Sequence, residues 1–180
     1  MDRQNGFTLL ELLTTLAVAA LLASMAVPSF TTLSLNSKRV SSTNELVSAM
    51  HFARSSAVLR NARFTVCPTS NGTACEAVGW NEGWLAFADL NSNQVVDAGE
   101  TVSRSGLGVA DLSIVSAEFP NFFIYRSNGR VMAAVATTNS GNFTICDRRG
   151  SEHARVVIID TSGRPRLSKT MSDGSVPVCP

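Results

Sequence analysis

One carboxylate stands where water should not reach it. Across residues 7–27 every side chain is apolar or a small hydroxyl except Glu11. A charge held in lipid costs about 3 kcal/mol or more and calls for a cation. The sequence offers one if the chain is cut between Gly6 and Phe7, because the α-amino group freed at Phe7 can pair with Glu11 of a neighbouring copy. That chemistry is assembly rather than catalysis.

A second constellation is basic. Residues 121–180 carry eight Lys and Arg against four acids, whereas residues 61–120 carry two against seven, an imbalance hidden by the net charge of +1. The charges concentrate in Arg148-Arg149 and in Gly163-Arg164-Pro165-Arg166-Leu167-Ser168-Lys169. Pro165 holds its segment extended. Arg164 and Arg166 then project from an exposed turn, spaced to grip successive phosphates of DNA. The aromatics of this third are only Phe122, Phe123, Tyr125 and Phe143, and alternate strand positions suggest that most of them are core, so contact is expected mostly through phosphates, blind to sequence and weakened by salt.

A third pattern could hold a cation. Asp89, Asn91, Asn93, Asp97 and Glu100 fall at positions 1, 3, 5, 9 and 12 of a calcium loop, with the Val95 carbonyl at position 7. Gln94 occupies the place where the sharp turn calls for Gly. The competing reading is an Asx-rich hairpin turn, in which Asn and Asp bond their own backbone. Calcium is the one cofactor this chain suggests.

Catalytic motifs are lacking: the sequence has no Gly-x-Ser-x-Gly elbow, no phosphate-cradling loop with Lys, and only two histidines, His51 and His153. An enzyme is not expected. Cys67, Cys75, Cys146 and Cys179 lack zinc-knuckle spacing and read as disulfides, which implies an oxidising compartment. Of three possible pairings, the short turn-rich loop with Pro68, Asn71 and Gly72 favours Cys67 with Cys75, leaving Cys146 with Cys179.

These residues must be carried by few elements. Residues 7–27 make a helix about 31 Å long, enough to cross a bilayer. Pro28 is expected to kink or locally melt it. The helix resumes to about residue 60, with Val40, Leu46, Val47, Met50, Ala53, Ala57 and Val58 near one face. From Phe64 onward short β-type runs alternate with Gly, Asn and Pro: residues 64–66, 84–87, 121–126, 130–136, 141–146 and 155–160. The expected fold is α+β, a long N-terminal transmembrane helix continuing into a head and packed against an antiparallel sheet. The divisions are a leader (1–6), an anchoring and assembly segment (7–27), an amphipathic remainder of the helix (28–60) and a β-rich head (61–180).

The stretch Gly6-Phe7-Thr8-Leu9-Leu10-Glu11-Leu12-Leu13 resembles the processing motif of type IV pilins and pseudopilins. The resemblance implies Gly6 as the last leader residue, Phe7 as an N-methylated new terminus, Glu11 as the assembly carboxylate, and prepilin peptidase and other pilins as partners. Asn44-Glu45-Leu46-Val47, Ala53-Arg54-Ser55, Cys67, Cys75, Gly83-Trp84, Phe87, Asp89 and Asn91, together with Gly163-Arg164-Pro165-Arg166, resemble the FimT, FimU and GspH family. That likeness covers almost the whole chain and implies a minor subunit that primes or caps a filament. In the FimT branch a Gly-Arg-x-Arg motif is linked to DNA binding in natural transformation, which implies roles for Gly163, Arg164 and Arg166, with Lys169, Arg148 and Arg149 adding charge. The implied location is the cytoplasmic membrane in a single pass, head in the periplasm, then the pilus at the cell surface. The alternative is a GspH-like pseudopilin of a type II secretion system with no DNA-binding role.

Overall fold

The computed structural model describes residues 7–133 and 139–180. The leader, with Gly6, and the last three residues of the expected strand 130–136 lie outside them. One helix, α1 (Leu9–Arg60), precedes nine strands: β1 (Phe64–Pro68), β2 (Gly83–Ala88), β3 (Val102–Leu107), β4 (Leu112–Val115), β5 (Phe123–Tyr125), β6 (Val131–Ala133), β7 (Gly141–Asp147), β8 (Arg155–Ile159) and β9 (Pro165–Ser168). A short 3-10 turn, Ser151–His153, links β7 to β8. The chain divides into two compact units, Met1–Ser37 and Lys38–Pro180.

Thr8 starts the helix in the first unit. Its hydroxyl accepts the Glu11 amide at 3.2 Å, and its carbonyl accepts the Leu12 amide. A threonine cap with Glu three residues on satisfies orphan amides and sets a carboxylate at the positive end of the helix dipole. The most apolar window of α1 has mean hydropathy 2.0, and none of it is buried. Pro28 lies inside an uninterrupted helix, so the expected melting does not occur. Proline removes one N–H from a ladder of 52 residues, and the ladder resumes on either side.

The second unit holds two antiparallel sheets where one was expected, in strand orders β3-β2-β1-β5-β6 and β4-β7-β8-β9. Leu46, Ala49, Met50, Ala53 and Ala57 of α1 share one core with Phe64, Val66, Trp84, Phe123 and Tyr125 of the first sheet and Ile114, Phe143, Ile145, Val157 and Ile159 of the second. Val40 and Val58, expected on that face, are 50% and 48% exposed because they are out of helical phase with Leu46. Phe123 and Phe143 join the sheets, their ring centroids 5.6 Å apart, with Trp80 wedged between and its indole donating to the Phe119 carbonyl at 2.8 Å. A smaller cluster of Cys67, Leu85 and Phe87 packs against Val96, Val102 and Phe122.

Candidate functional site

The turn between β8 and β9 is built on Asp160. One of its carboxylate oxygens accepts the Ser162 amide at 2.9 Å, the Ser162 hydroxyl at 2.6 Å and the Arg164 amide at 3.1 Å. The Ser162 hydroxyl, helped by the Arg164 and Ser162 amides and the Arg164 charge, outweighs burial and holds this carboxyl below the usual range. Gly163 donates to the Asp160 carbonyl at 2.9 Å and takes φ +76°. A Cβ on Gly163 would lie 2.1 Å from the Gly129 carbonyl oxygen, so this turn rests backbone to backbone on the β5–β6 turn.

Arg54 fastens the two turns to the helix. Its Nε donates to the Gly129 carbonyl at 3.1 Å and its Nη2 to the Ser162 carbonyl at 3.5 Å. Sequence reasoning quoted Arg54 but assigned it no role, since the partners lie 75 and 108 residues away. Arg164 leaves the turn exposed. Pro165 is buried as the first residue of edge strand β9, a position where its missing N–H is tolerated. Arg166 and Lys169 are exposed as well. Arg166 therefore stands on a strand, not on the expected turn. Among the described residues no acid lies within 4 Å of Arg164, Arg166 or Lys169.

Arg148 and Arg149 do not join them. Gly141 pairs with Ile159 and Ile145 with Arg155, which puts Arg148 and Arg149 at the opposite end of β7 and β8 from Arg164, about 20 Å away along the strands. Arg148 is exposed, whereas Arg149 is committed to buried Asp147. Its Nε and Nη2 meet the two carboxylate oxygens at 2.9 and 2.6 Å. Arg39, 5% exposed, approaches the same carboxylate at 3.7 Å and donates to the His153 carbonyl. Arg149 is thus part of the fold's ionic centre.

The 89–100 loop closes on itself. Asp89, fully buried, accepts the Thr65 hydroxyl at 2.6 Å and the Asn93 and Gln94 amides at 3.1 Å. Asn91 and Asn93 accept the amides two residues ahead, and both donate side-chain amides to Asp97. Glu100 accepts the Leu90 and Asp97 amides. This is the network of an Asx turn, with Ser92 and Gln94 at positive φ and Gln94 standing where the calcium loop would use Gly. Among the described residues no group of three or more His, Cys, Asp or Glu is arranged to hold a metal.

Both disulfides form as expected, Cys67–Cys75 and Cys146–Cys179, and no cysteine is free. By loop entropy they contribute about 2.5 and 4 kcal/mol. Phe123, Tyr125 and Phe143 are fully buried, as their alternation implied. Burial pushes the Tyr125 phenol up, and its hydroxyl has no hydrogen-bond partner among the described residues.

A capped apolar N-terminal helix ahead of two antiparallel sheets defines the type IV pilin-like fold. Residues 42–163 match the family described as Type II transport protein GspH, and residues 1–27 match the prokaryotic N-terminal methylation motif. The chain belongs to the GspH family, a family of pilin and pseudopilin subunits. No curated protein matches it in sequence. Its fold is similar to two crystal structures of the minor pilin FimU of Pseudomonas aeruginosa, at 21% identity. One has a TM-score of 0.57 over 76% of this chain and 95% of that one; the other has 0.60 over 81% and 96%. The minor pseudopilin EpsH of Vibrio cholerae is 12% identical over 72% of this chain and 94% of that one, with a TM-score of 0.47. The family match ends at residue 163, so Arg164 and Arg166 lie just beyond it.

Proposed function

We propose that the chain is a minor type IV pilin that primes or caps a filament and binds duplex DNA through Arg164 and Arg166. The observation that carries the DNA reading is the presentation of these two residues: both exposed and without an ion pair among the described residues, Arg164 on a turn fixed by Gly163 and Arg54 and Arg166 on the strand that leaves it. Their contacts are with phosphates, so affinity is in the range of about 10⁻⁴ to 10⁻⁶ M and independent of sequence. Changing both to Gln in the full chain, held in a non-ionic detergent, keeps length and polarity. The slope of log affinity against log salt then shrinks by roughly two units. Equal affinity of wild type and double variant in a gel-shift titration refutes the reading. The alternative, a type II secretion pseudopilin without DNA-binding role, draws on the family match ending before Arg164. It expects deletion of the gene to stop protein export and leave DNA uptake intact.

The same reading divides the chain into a leader (1–6), an assembly segment (7–27), the rest of the helix (28–60) and a head (61–180). The head is periplasmic before assembly and at the cell surface afterwards. Prepilin peptidase cuts before Phe7, and Glu11, at the first turn of α1, pairs with the freed amine of a neighbouring pilin. Mass spectrometry of filament-derived chain should find Phe7 first and methylated, and a Glu11→Ala chain should be membrane-bound but depleted from filaments. A mature terminus at Met1 rules this processing out. No cofactor enters the function: calcium added to the folded chain should leave its melting temperature unchanged, and a rise would restore the ligand reading of Asp89, Asn91, Asn93, Asp97 and Glu100.

A further inference from the structure

One end of the head gathers arginines that neither the motif nor the core accounts for. α1 ends at Arg60 and its link to β1 carries Arg63, both exposed. β1 meets β5 with Phe64 opposite Tyr125, so Arg63 and Arg126 follow that pair on adjoining strands. The β5–β6 turn is closed by the Arg126 amide donating to the Arg130 carbonyl at 2.9 Å, which sets exposed Arg126 and Arg130 at its two sides. Asn61, Ala62, Arg63 and Ser127 line one cavity between the helix link and this turn, with Asp89, Leu90 and Ser92 completing its wall. The turn in turn bears on Gly163 through the Gly129 carbonyl, next to Arg164. Three connections distant in sequence thus bring five exposed guanidinium groups, those of Arg60, Arg63, Arg126, Arg130 and Arg164, to the end where the helix stops.

Acids lie near this end but do not clasp the five side chains. Among the described residues none of the five has an acid within 4 Å. Asp160, whose charge acts with that of Arg164, and Asp89, which shares the Arg63 cavity, direct their oxygens to the neutral donors already described, as Asp97 and Glu100 do within their own loop. Arg60 lies over the Phe64 ring, 5.5 Å from its centroid, and an Arg126 nitrogen meets the Met132 sulfur at 2.8 Å. Both contacts hold the group at the surface without cancelling its charge.

We infer that this arginine end is the principal docking surface for duplex DNA, with Arg164 at its rim and Arg126 and Arg130 beside it. The inference rests on the DNA reading above and enlarges it from one strand edge to a surface built by both sheets and the helix terminus. Duplex DNA presents one negative charge per about 1.7 Å of its axis, a density that several unpaired guanidinium groups engage together. An acidic protein face is the other polyanion such a surface could meet.

The test uses the full chain in non-ionic detergent, a labelled duplex of about 30 base pairs, and anisotropy titrations between roughly 50 and 200 mM salt. Arg126→Gln with Arg130→Gln should weaken binding and reduce the salt slope by about two units, as should Arg60→Gln with Arg63→Gln. Arg148→Gln, an exposed charge at the far end of β7, should leave both unchanged. If the Arg164 and Arg166 double variant weakens binding while the Arg126/Arg130 and Arg60/Arg63 variants match wild type, the enlarged surface is wrong and the motif reading stands. A wild-type chain that does not bind DNA removes both. Arg148→Gln lowering the slope as much per charge means diffuse attraction and overturns the localised surface. Polyglutamate competing as well as duplex, at equal charge, overturns it in favour of an acidic protein partner. Unchanged melting temperatures establish that each variant is folded; a variant that melts early is replaced in the comparison by the other pair.

Discussion

Asp147→Ala lowers the stability of the chain by about 3–5 kcal/mol, the range for removing one member of a buried ionic group. The side chain of Asp147 is fully buried and faces Arg149 at 2.6 Å and Arg39 at 3.7 Å. Without it both guanidinium groups lose the carboxylate they share. The hydrogen bond from Arg149, with the charges of Arg149 and Arg39 behind it, outweighs burial and holds this carboxyl down to about 2. Because the folded value is depressed, its stabilisation is complete above the unfolded value of about 4 and disappears as pH falls towards 2. Wild type should lose about 2–3 kcal/mol over that window. Asp147→Asn should start lower and lack that part of the slope. Denaturant unfolding of the oxidised chain at several pH values checks this, and parallel pH profiles refute it. Replacing Arg39, Asp147 and Arg149 together by apolar residues of similar size should cost less than Asp147→Ala alone, because no charge is left stranded.

Gly163→Ala is expected to cost about 2–5 kcal/mol. The left-handed backbone at +76° charges an alanine about 1–2 kcal/mol. The new methyl group meets a carbonyl oxygen at 2.1 Å that Arg54 holds in place, which adds the usual 1–3 kcal/mol of overpacking, by rough estimate. The β8–β9 turn must move away from the β5–β6 turn, and Arg164 moves with it. On the proposed DNA-binding role, affinity should therefore fall although no charge is lost. Gly174→Ala, another glycine at positive φ but with nothing within 4 Å of its Cβ, isolates the backbone part of the cost. Equal losses for the two variants would show that the contact between turns contributes nothing.

What could be read from the sequence was what local spacing records. The apolar run at residues 7–27 and the Leu46, Met50, Ala53 and Ala57 series gave the helix and its inner face, while Val40 and Val58 misled because residue type was counted without phase. Strands buried along nearly their whole length, β1, β2, β7 and β8, were visible as apolar or β-branched runs. β3, Val-Ser-Arg-Ser-Gly-Leu, is a half-exposed edge strand with no apolar rhythm to announce it. β9 was taken for an extended turn, since proline fits both descriptions. In the basic segment, neighbours in sequence proved to be at opposite ends of a sheet, as an antiparallel pair requires. Asp147 with Arg39, and Gly163 with Gly129, are joined only by the tertiary fold, so no local pattern could disclose them.

The C-terminal residues impose an order of events on the head. Asn142, Thr144 and Cys146 point from β7 to the side away from the main core, and there the tail is pinned across them. The Ser172 amide bonds Asn142 at 3.0 Å, the Met171 sulfur meets Thr144 at 3.5 Å, and Cys179 is bonded to Cys146. A strap of this kind has nothing to fasten to until β7 has paired with β8, and it locks only by thiol oxidation. A chain still in a reducing cytosol would therefore carry that face open, with its last dozen residues undocked. The buckle closes only where thiols are oxidised, which makes the finished head dependent on the redox state of its surroundings.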